Sequence, residues 1–324
     1  MKVSVVTITY NHEKYIAQAI ESILMQKTNF DYEYMIGEDC STDGTREIVI
    51  NYKNKYPDKI RLFLPEKNIG GILNFVQTLK PSQGEYIALL DGDDYWTSPH
   101  KLQKQADFLD SHPECAICCH DAELIYEDRS RKPWVSSSPN QKKIYTLDDL
   151  LTGGNPLITC TIMYRKGLFG EFPDWFYKIP FGDWALHILN AQHGDIGFIT
   201  ESMAVHIIHD GGVYSSLDQI EVLKGKIIGR EIVKNNLDLS NPHKKKLNAT
   251  LYNYYYQLYK IYIENGDLAN ARTYLKKCIR HLRDGRGETS FRRFVKMILR
   301  VYSPRLYKLG RTARTPFAHR SDSD

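Results

Sequence analysis

The stretch Glu85-Tyr86-Ile87-Ala88-Leu89-Leu90-Asp91-Gly92-Asp93-Asp94 constrains this chain more than any other. Tyr86 to Leu90 is a short apolar run, which reads as a strand buried on both faces. It ends in three carboxylates within four residues. Folding alone does not ask for such a knot, because like charges this close repel. A divalent cation relieves the repulsion. Hard carboxylate oxygens suit Mg²⁺ or Mn²⁺, and a substrate's phosphates complete such sites. Open parallel sheets bind ligands beyond the carboxyl ends of their strands. The stretch therefore predicts a buried parallel strand that delivers a metal–nucleotide site to a sheet edge.

The flanking sequence supplies the rest of the sheet. Val3 to Thr9 is a β-branched strand, and Glu13 to Met25 carries Tyr15, Ile16, Ala19, Ile20, Ile23 and Leu24 at helical spacing. Tyr32 to Ile36 reads as a strand ending at Glu38-Asp39, and Ser41-Thr42-Asp43-Gly44 as turn and cap. Thr45 to Tyr56 reads as a helix stopped by Pro57, Ile60 to Leu64 as a strand and Ile69 to Leu79 as a helix. Ser98 as cap and Pro99 in the first turn predict a helix through Leu109. Cys115 to His120, Ala122 to Tyr126, Leu157 to Tyr164 and Ile196 to Ile208 read as strands, and Asp183 to Gln192 as a helix. Glu127 to Gln141 is polar, with Ser and Pro, and reads as a loop or flap. This alternation predicts an α/β fold: a Rossmann-like mixed, mostly parallel sheet with helices on both faces. From about Leu217 the pattern turns helical nearly to the end, with breaks near Asn241-Pro242, Gly266-Asp267 and Gly285. Two parts are expected, a domain over residues 1–216 and a helical region over 217–324.

Composition is that of a soluble globular chain, with 42% hydrophobic and 25% charged residues. The sequence runs straight into a strand, without a signal peptide or an apolar stretch long enough to span a bilayer. With six cysteines lacking framework spacing, this predicts reduced thiols and a cytoplasmic location. Cys115-Ala116-Ile117-Cys118-Cys119-His120 lacks the second ligand pair of a zinc site and reads as a buried strand. Asn248-Ala249-Thr250 fits a glycosylation pattern that carries little meaning without a secretory signal.

Charge is uneven. From Ala271 onward there are 15 Lys/Arg against 4 Asp/Glu, and before it 28 against 35. A basic tail on an acidic body points at an anionic partner. Within it, Phe291, Phe294, Val295, Ile298 and Tyr302 fall near one helical face, away from Arg293, Lys296 and Arg300. That helix suits peripheral contact with an anionic membrane and equally suits docking on protein. Nucleic acid is not expected, because the aromatic residues form no stacking groove. Leu251 to Ile263, rich in tyrosine, and Leu268 to His281 faintly resemble one tetratricopeptide hairpin. One repeat cannot bury a solenoid core, so the hairpin is expected to pack on the first domain.

The ordered set Val5-Val6-Thr7-Ile8-Thr9-Tyr10-Asn11, Glu38-Asp39-Cys40-Ser41-Thr42-Asp43-Gly44-Thr45, Asn68-Ile69-Gly70, Gly84-Glu85-Tyr86-Ile87 and Asp91-Gly92-Asp93-Asp94 closely resembles family 2 glycosyltransferases of the GT-A fold. The resemblance covers roughly Met1 to Ser216. It implies inverting transfer of a sugar from a nucleotide-sugar donor, with UDP the expected nucleotide. The acceptor would be a glycan or lipid-linked, in surface polysaccharide synthesis, and the cofactor Mn²⁺ or Mg²⁺. By resemblance Asp93 ligates the metal, Asp91 contacts the ribose or a metal-bound water, and Asp94 holds the donor sugar or the metal. Asp39 reads the uracil ring. Thr9, Tyr10, Asn11, Asn68, Gly70 and Gly92 fall in the donor-binding set.

The resemblance also implies that Asp183 is the general base, with Gly182 where the family often has a second acid. His209 matches a histidine that ligates the metal or touches a phosphate. The Tyr and Arg that usually precede it are replaced by His206 and Ile207, and His206 reads as strand-end packing. Plainer roles exist for each. Asp39 could cap the turn at Ser41, Asp183 could serve a helix N-terminus, and the acidic knot could cap the next helix were Ser98 not already there. A nucleotidyltransferase would need a Gly-rich first loop followed by Arg and Lys, which Thr9-Tyr10-Asn11-His12 lacks. The remaining rival is an inactive GT-A scaffold that uses its helical tail for assembly.

Overall fold

The computed structural model describes residues 1–137, 141–153, 155–213, 215–281 and 291–303, without the side chains of 291–294. The chain divides into two compact units, which part between Asp218 and Gln219.

In the first unit the strands are β1 (Val3–Thr9), β2 (Tyr32–Glu38), β3 (Ile60–Phe63), β4 (Tyr86–Leu89), β5 (Tyr95–Trp96), β6 (Cys115–Tyr126), β7 (Trp134–Val135), β8 (Ile144–Tyr145), β9 (Met163–Arg165) and β10 (Asp195–Ile208). The helices are α1 (Ile16–Leu24), α2 (Thr45–Lys55), α3 (Gly71–Leu79), α4 (Lys101–Ser111), α5 (Leu147–Thr152) and α6 (Gly182–Ala191). The sheet runs β3-β2-β1-β4-β9-β6-β10-β5. β1, β2, β3 and β4 pair in parallel, as do β6 and β10, while β9 and β5 run against their neighbours. β4 and β6 flank β9 and both oppose it, so the long strands share one direction and one carboxyl edge.

Alternation sorts the faces. Val3 and Val5 of β1, Tyr32, Tyr34 and Ile36 of β2, and Tyr86 and Ala88 of β4 join one core with Ile16, Ile20 and Ile23 of α1, Val49 of α2 and Leu102 and Ala106 of α4. The intervening positions face α3, whose Asn74 donates Nδ2 to the carbonyl of Gly37 at 2.9 Å. Deep in the sheet, Ser4 donates to Glu33 Oε1 at 2.6 Å.

Three local readings are corrected. The helix after Ser98-Pro99 starts at Lys101 with His100 as its cap, and Ser98 Oγ receives only the His100 N–H at 3.3 Å. Cys115 to Tyr126 is one strand rather than two, because its neighbour β10 runs its whole length and absorbs the irregularity in shifts of register. Leu157 to Tyr164 is mostly irregular, with a 3₁₀ turn over Thr159–Thr161 before the three-residue β9. The polar flap also contributes β7, which pairs with β6; residues 138–140 of it lie outside the described residues. All six cysteines are free.

The second unit is built from α7 (Gln219–Asn236), α8 (Asn241–Glu264), α9 (Leu268–Arg280) and α10 (Phe291–Tyr302). The expected break near Asn241-Pro242 falls between α7 and α8, and Asn241-Pro242 opens α8, with Ser240 as cap accepting from His243 N at 3.4 Å and Pro242 in the first turn. Gly266, at φ +74°, turns the chain into α9. The tyrosine face of α8 packs within this unit: Tyr252, Tyr255, Tyr259 and Tyr262 join Leu223 and Ile227 of α7, Leu275 of α9 and Met297 and Val301 of α10. The apolar face of α10 is used at Met297, Ile298 and Val301, while Tyr302 is half exposed. The expected apolar contacts of Phe291 and Phe294 and most of the basic tail lie outside the described residues. Among the described residues no helix is long and apolar enough to cross a membrane.

Candidate active site

The carboxyl edge of β1, β2, β4 and β10 gathers the sequence-predicted residues. The loop after β4 is built first. Leu90 N and Gly92 N donate to Val6 and Ile8 of β1 at 3.1 and 3.0 Å, so the strand pairing continues into the acidic turn. A Cβ on Gly92 would lie 2.6 Å from Thr9 Oγ1 and 3.0 Å from His12 Nδ1, so only glycine lets this loop approach β1. Asp94 N closes the turn on the Asp91 carbonyl at 3.2 Å.

The three carboxylates then take different roles. Asp94 is buried, with His206 Nδ1 3.0 Å from both its oxygens and Ile207 N donating at 2.9 Å. Burial pulls the His206 imidazole down, but the Asp94 bond and charge outweigh it and lift the group to about 9. His206 is therefore the imidazolium of an ion pair. Both oxygens of Asp94 take hydrogen bonds within the protein. His206, read as packing, fixes the loop through that pair.

Asp93 lies 3.1 Å from His209 Nε2 and 3.6 Å from His12 Nε2. Burial pushes its carboxyl up, but the His209 bond and the His12 charge prevail and hold it below the usual range. The same bond raises His209. Asp91 makes the contrast: burial, and then the charges of Asp93 and Asp94, hold its carboxyl well above the usual range. Asp183, at the start of α6, adds its charge to the same site.

Asp93 and His209, a carboxylate and an imidazole side by side, are the residues that would hold a divalent cation. A cation there would take the place of the hydrogen bond that now joins His209 Nε2 to Asp93 at 3.1 Å. Among the described residues no group of three His, Cys, Asp or Glu side chains could hold a metal by itself. The donor set therefore suits a hard cation completed by phosphate oxygens and water rather than a closed protein cage.

The neighbouring edge is shaped by Asp39. Its carboxylate accepts from Ile69 N at 2.8 Å and Gly70 N at 2.9 Å, bringing the Asn68–Gly70 turn against β2. Gly70 sits at φ +87°, a conformation that favours glycine. Asn68 Oδ1 also accepts from Gly70 N at 3.1 Å. Asp39 N donates to the Thr9 carbonyl at 3.0 Å, locking β2 to β1 at the edge. Asn11, at φ +56°, accepts from Thr42 N at 2.8 Å and donates its own N–H to Ser41 Oγ at 2.9 Å. Thr9 is buried, and Tyr10 is 40% exposed beside it, free to stack. Glu38 is committed to Arg46 and to Ser41 N.

Asp183 lies in the first turn of α6. Its Oδ2 accepts from Asn155 Nδ2 at 2.8 Å, and its buried Oδ1 has no partner among the described residues. Four side chains were missed from the sequence. His12 and Tyr15 lie just past β1, and the Tyr15 ring sits 4.7 Å from that of His209. Glu127, at the start of the flap, joins burial in holding the Tyr15 hydroxyl up. Asn155 completes the set. Only His12, an imidazole next to a strand end, carried a sequence signal.

The profile of Glycosyl transferase family 2 matches residues 4–172. An uncharacterised protein of Mycobacterium tuberculosis is 38% identical over 214 residues, 66% of this chain and 60% of its own length. TuaG of Bacillus subtilis, named for teichuronic acid biosynthesis, is 34% identical over 52% of this chain and 64% of its own. The match thus spans about three fifths of the first curated relatives. Among solved structures, Staphylococcus aureus TarS 1–349 in complex with UDP-GlcNAc superimposes with TM-score 0.66 at 22% identity, covering 88% of this chain and 81% of that one. A Pyrobaculum calidifontis mannosyltransferase in complex with GDP-Man and Mn²⁺ gives 0.58 at 16%, covering 96% and 82%. The sheet, its acidic edge and the profile agree, and the chain belongs to glycosyl transferase family 2.

Proposed function

We propose that this chain is an inverting glycosyltransferase that moves a sugar from a UDP-sugar to a glycan or lipid-linked acceptor of a surface polysaccharide. The observation that carries the reading is the meeting of Asp93 and His209, set for a cation, with the Asp39 turn and a carboxylate oxygen of Asp183 that has no partner. TuaG and TarS, named respectively for teichuronic acid biosynthesis and for poly(ribitol-phosphate) β-N-acetylglucosaminyl transfer, support the class of acceptor.

In this reading the Asp39 carboxylate keeps its turn in place and presents a spare lone pair to a base N–H, while Tyr10 stacks on the base. Asp91 meets the ribose or a bound water. Asp93 and His209 hold a divalent cation, which supplies charge neutralisation for the departing diphosphate. Asp183 takes the proton of the acceptor hydroxyl as its oxygen attacks the anomeric carbon from the face opposite the leaving group. The basic balance from Ala271 onward supports peripheral contact with an anionic membrane, where a lipid-linked acceptor would lie.

Thermal melting with UDP, GDP and their sugars, with and without Mn²⁺, tests the donor site. A Mn²⁺-dependent rise with UDP compounds that disappears in Asp93→Ala is expected; at a hundredfold excess over Kd the gain is about 2.7 kcal/mol. No rise with any nucleotide would remove the transferase reading and leave the scaffold.

A further inference from the structure

Asp183 needs one oxygen to receive a proton and something to hold the other still. Its Oδ2 accepts from Asn155 Nδ2 at 2.8 Å, while Oδ1 is buried without a partner. The orientation of the Asn155 amide is set independently, because Asn155 Oδ1 accepts from Leu157 N at 3.3 Å. With the oxygen committed there, Nδ2 must face Asp183, where an ionised carboxylate only accepts. The segment bearing Asn155 follows α5, and α5 is pinned to α6 by Trp184 Nε1 donating to the Leu150 carbonyl at 3.0 Å. One turn along α6 from Asp183, burial holds His187 down to about 4, so it stays neutral and offers no ion pair.

We propose that Asn155 is the positioning residue of the general base: its amide holds Oδ2 of Asp183 and leaves Oδ1 to receive the acceptor's proton. This rests on the transferase reading. In the step the acceptor O–H proton passes to Oδ1 and the acceptor oxygen bonds to the anomeric carbon. The bond from that carbon to phosphate breaks, its electron pair leaving on the diphosphate. A carboxylate free to rotate would spend part of its time with Oδ1 misaimed, and misplacement on this scale costs orders of magnitude in rate.

The test uses the full chain with Mn²⁺ and a panel of UDP- and GDP-sugars, following whichever donor the native chain hydrolyses, with water as acceptor. Asn155→Ala should lower kcat roughly 10- to 100-fold while donor KM and UDP affinity stay within about twofold. Asn155→Asp keeps the shape but sets a carboxylate against a carboxylate, so it should be the harsher change. A packing role predicts the opposite order. That order, or native kcat in both variants, overturns the role of Asn155 and leaves the transferase reading standing. If Asn155→Ala does not fold, Asn155→Asp with a native melting point decides alone, a loss of kcat supporting the role and a native kcat overturning it. Undiminished turnover in Asp183→Asn, or no hydrolysis of any donor by the native chain, overturns both.

Discussion

Along β1, β2 and β4 most buried polar side chains are tied to the backbone or to each other. Asp39 serves Ile69 and Gly70, Glu38 serves Ser41, and Ser4 Oγ spans Glu33 and Gly84 N. Glu33 Oε2 faces Arg61 at 3.2 Å. Across β6, β9, α4 and α6, buried atoms lack hydrogen-bond partners among the described residues: Lys101 Nζ, His120 Nε2, Tyr164 Oη, both nitrogens of His187, and Oδ1 of the half-buried Asp183. Buried polar groups normally find partners, and one left without costs about 1–3 kcal/mol. The first half of the sheet is thus the more fully tied, with Glu33 Oε2 and Ser82 Oγ its buried atoms lacking a hydrogen bond among the described residues, while the second stores more polar cost in its interior. A frame suits a donor that must be held still. An oxygen without a partner suits a group that gains a proton in the reaction.

Asp183→Asn should sharpen this contrast most. The amide keeps the size and can still pair with Asn155, but it cannot take a proton. General-base loss is worth about 10²–10⁴ in kcat, whereas Mn²⁺-dependent UDP binding, proposed for Asp39, Asp93 and His209, should stay native. Single-turnover rates beside equilibrium UDP titration separate the two. A matching loss of UDP affinity would mean that Asp183 also serves donor binding.

Lys101 comes next in size. It is fully buried, its Nζ is 3.8 Å from the Trp96 ring centroid, and burial holds it down to about 7. Between about 7 and the ordinary 10.5, the unfolded chain keeps this proton and the folded chain has shed it. Stability must therefore rise with pH across that window and be least below it. Lys101→Met keeps the stem and removes the charge. It should stabilise the first unit by roughly 2–4 kcal/mol at pH 7, with the gain fading toward pH 10. Urea unfolding at pH 7, 8.5 and 10 checks this. A destabilised variant at pH 7 would show that the ammonium has a partner in solution.

The same division explains what the sequence could disclose. The frame was legible because several of its positions admit only one residue type, although their partners lie as far along the chain as those of the second half. Gly92 must be glycine beneath Thr9, and Asp39 must face the Asn68–Gly70 turn. Such demands leave a motif. The second half left little. Asn155 reaches Asp183 from 28 positions away, and His206 reaches Asp94 from 112. Neither partner is a residue type that only one role could require. Ser98 misled for a related reason. Its carbonyl accepts from Gln26 Nε2 at 2.8 Å, so a tertiary contact fixes the residue that local rules read as a cap. The tyrosines of α8 were legible as a helix, but their partners on α7 and α10 were not.

His187→Leu is the smallest change and bears most directly on stored cost. His187 is fully buried, and burial holds it down to about 4 from the ordinary 6.5. The folded chain therefore keeps it neutral while the unfolded chain binds a proton below 6.5. Its contribution is fully present above 6.5 and is lost as pH falls toward 4. Leucine removes two ring nitrogens that lack partners and keeps an apolar side chain of similar reach, so near-neutral stability should rise by about 1 kcal/mol. The native chain should weaken between pH 6.5 and 4 more steeply than the variant, which chemical denaturation at both pH values reports. If the imidazole instead feels the acceptor through Asp183, stability will follow this course but kcat will fall as well. That outcome would move His187 from packing into the machinery of the second half.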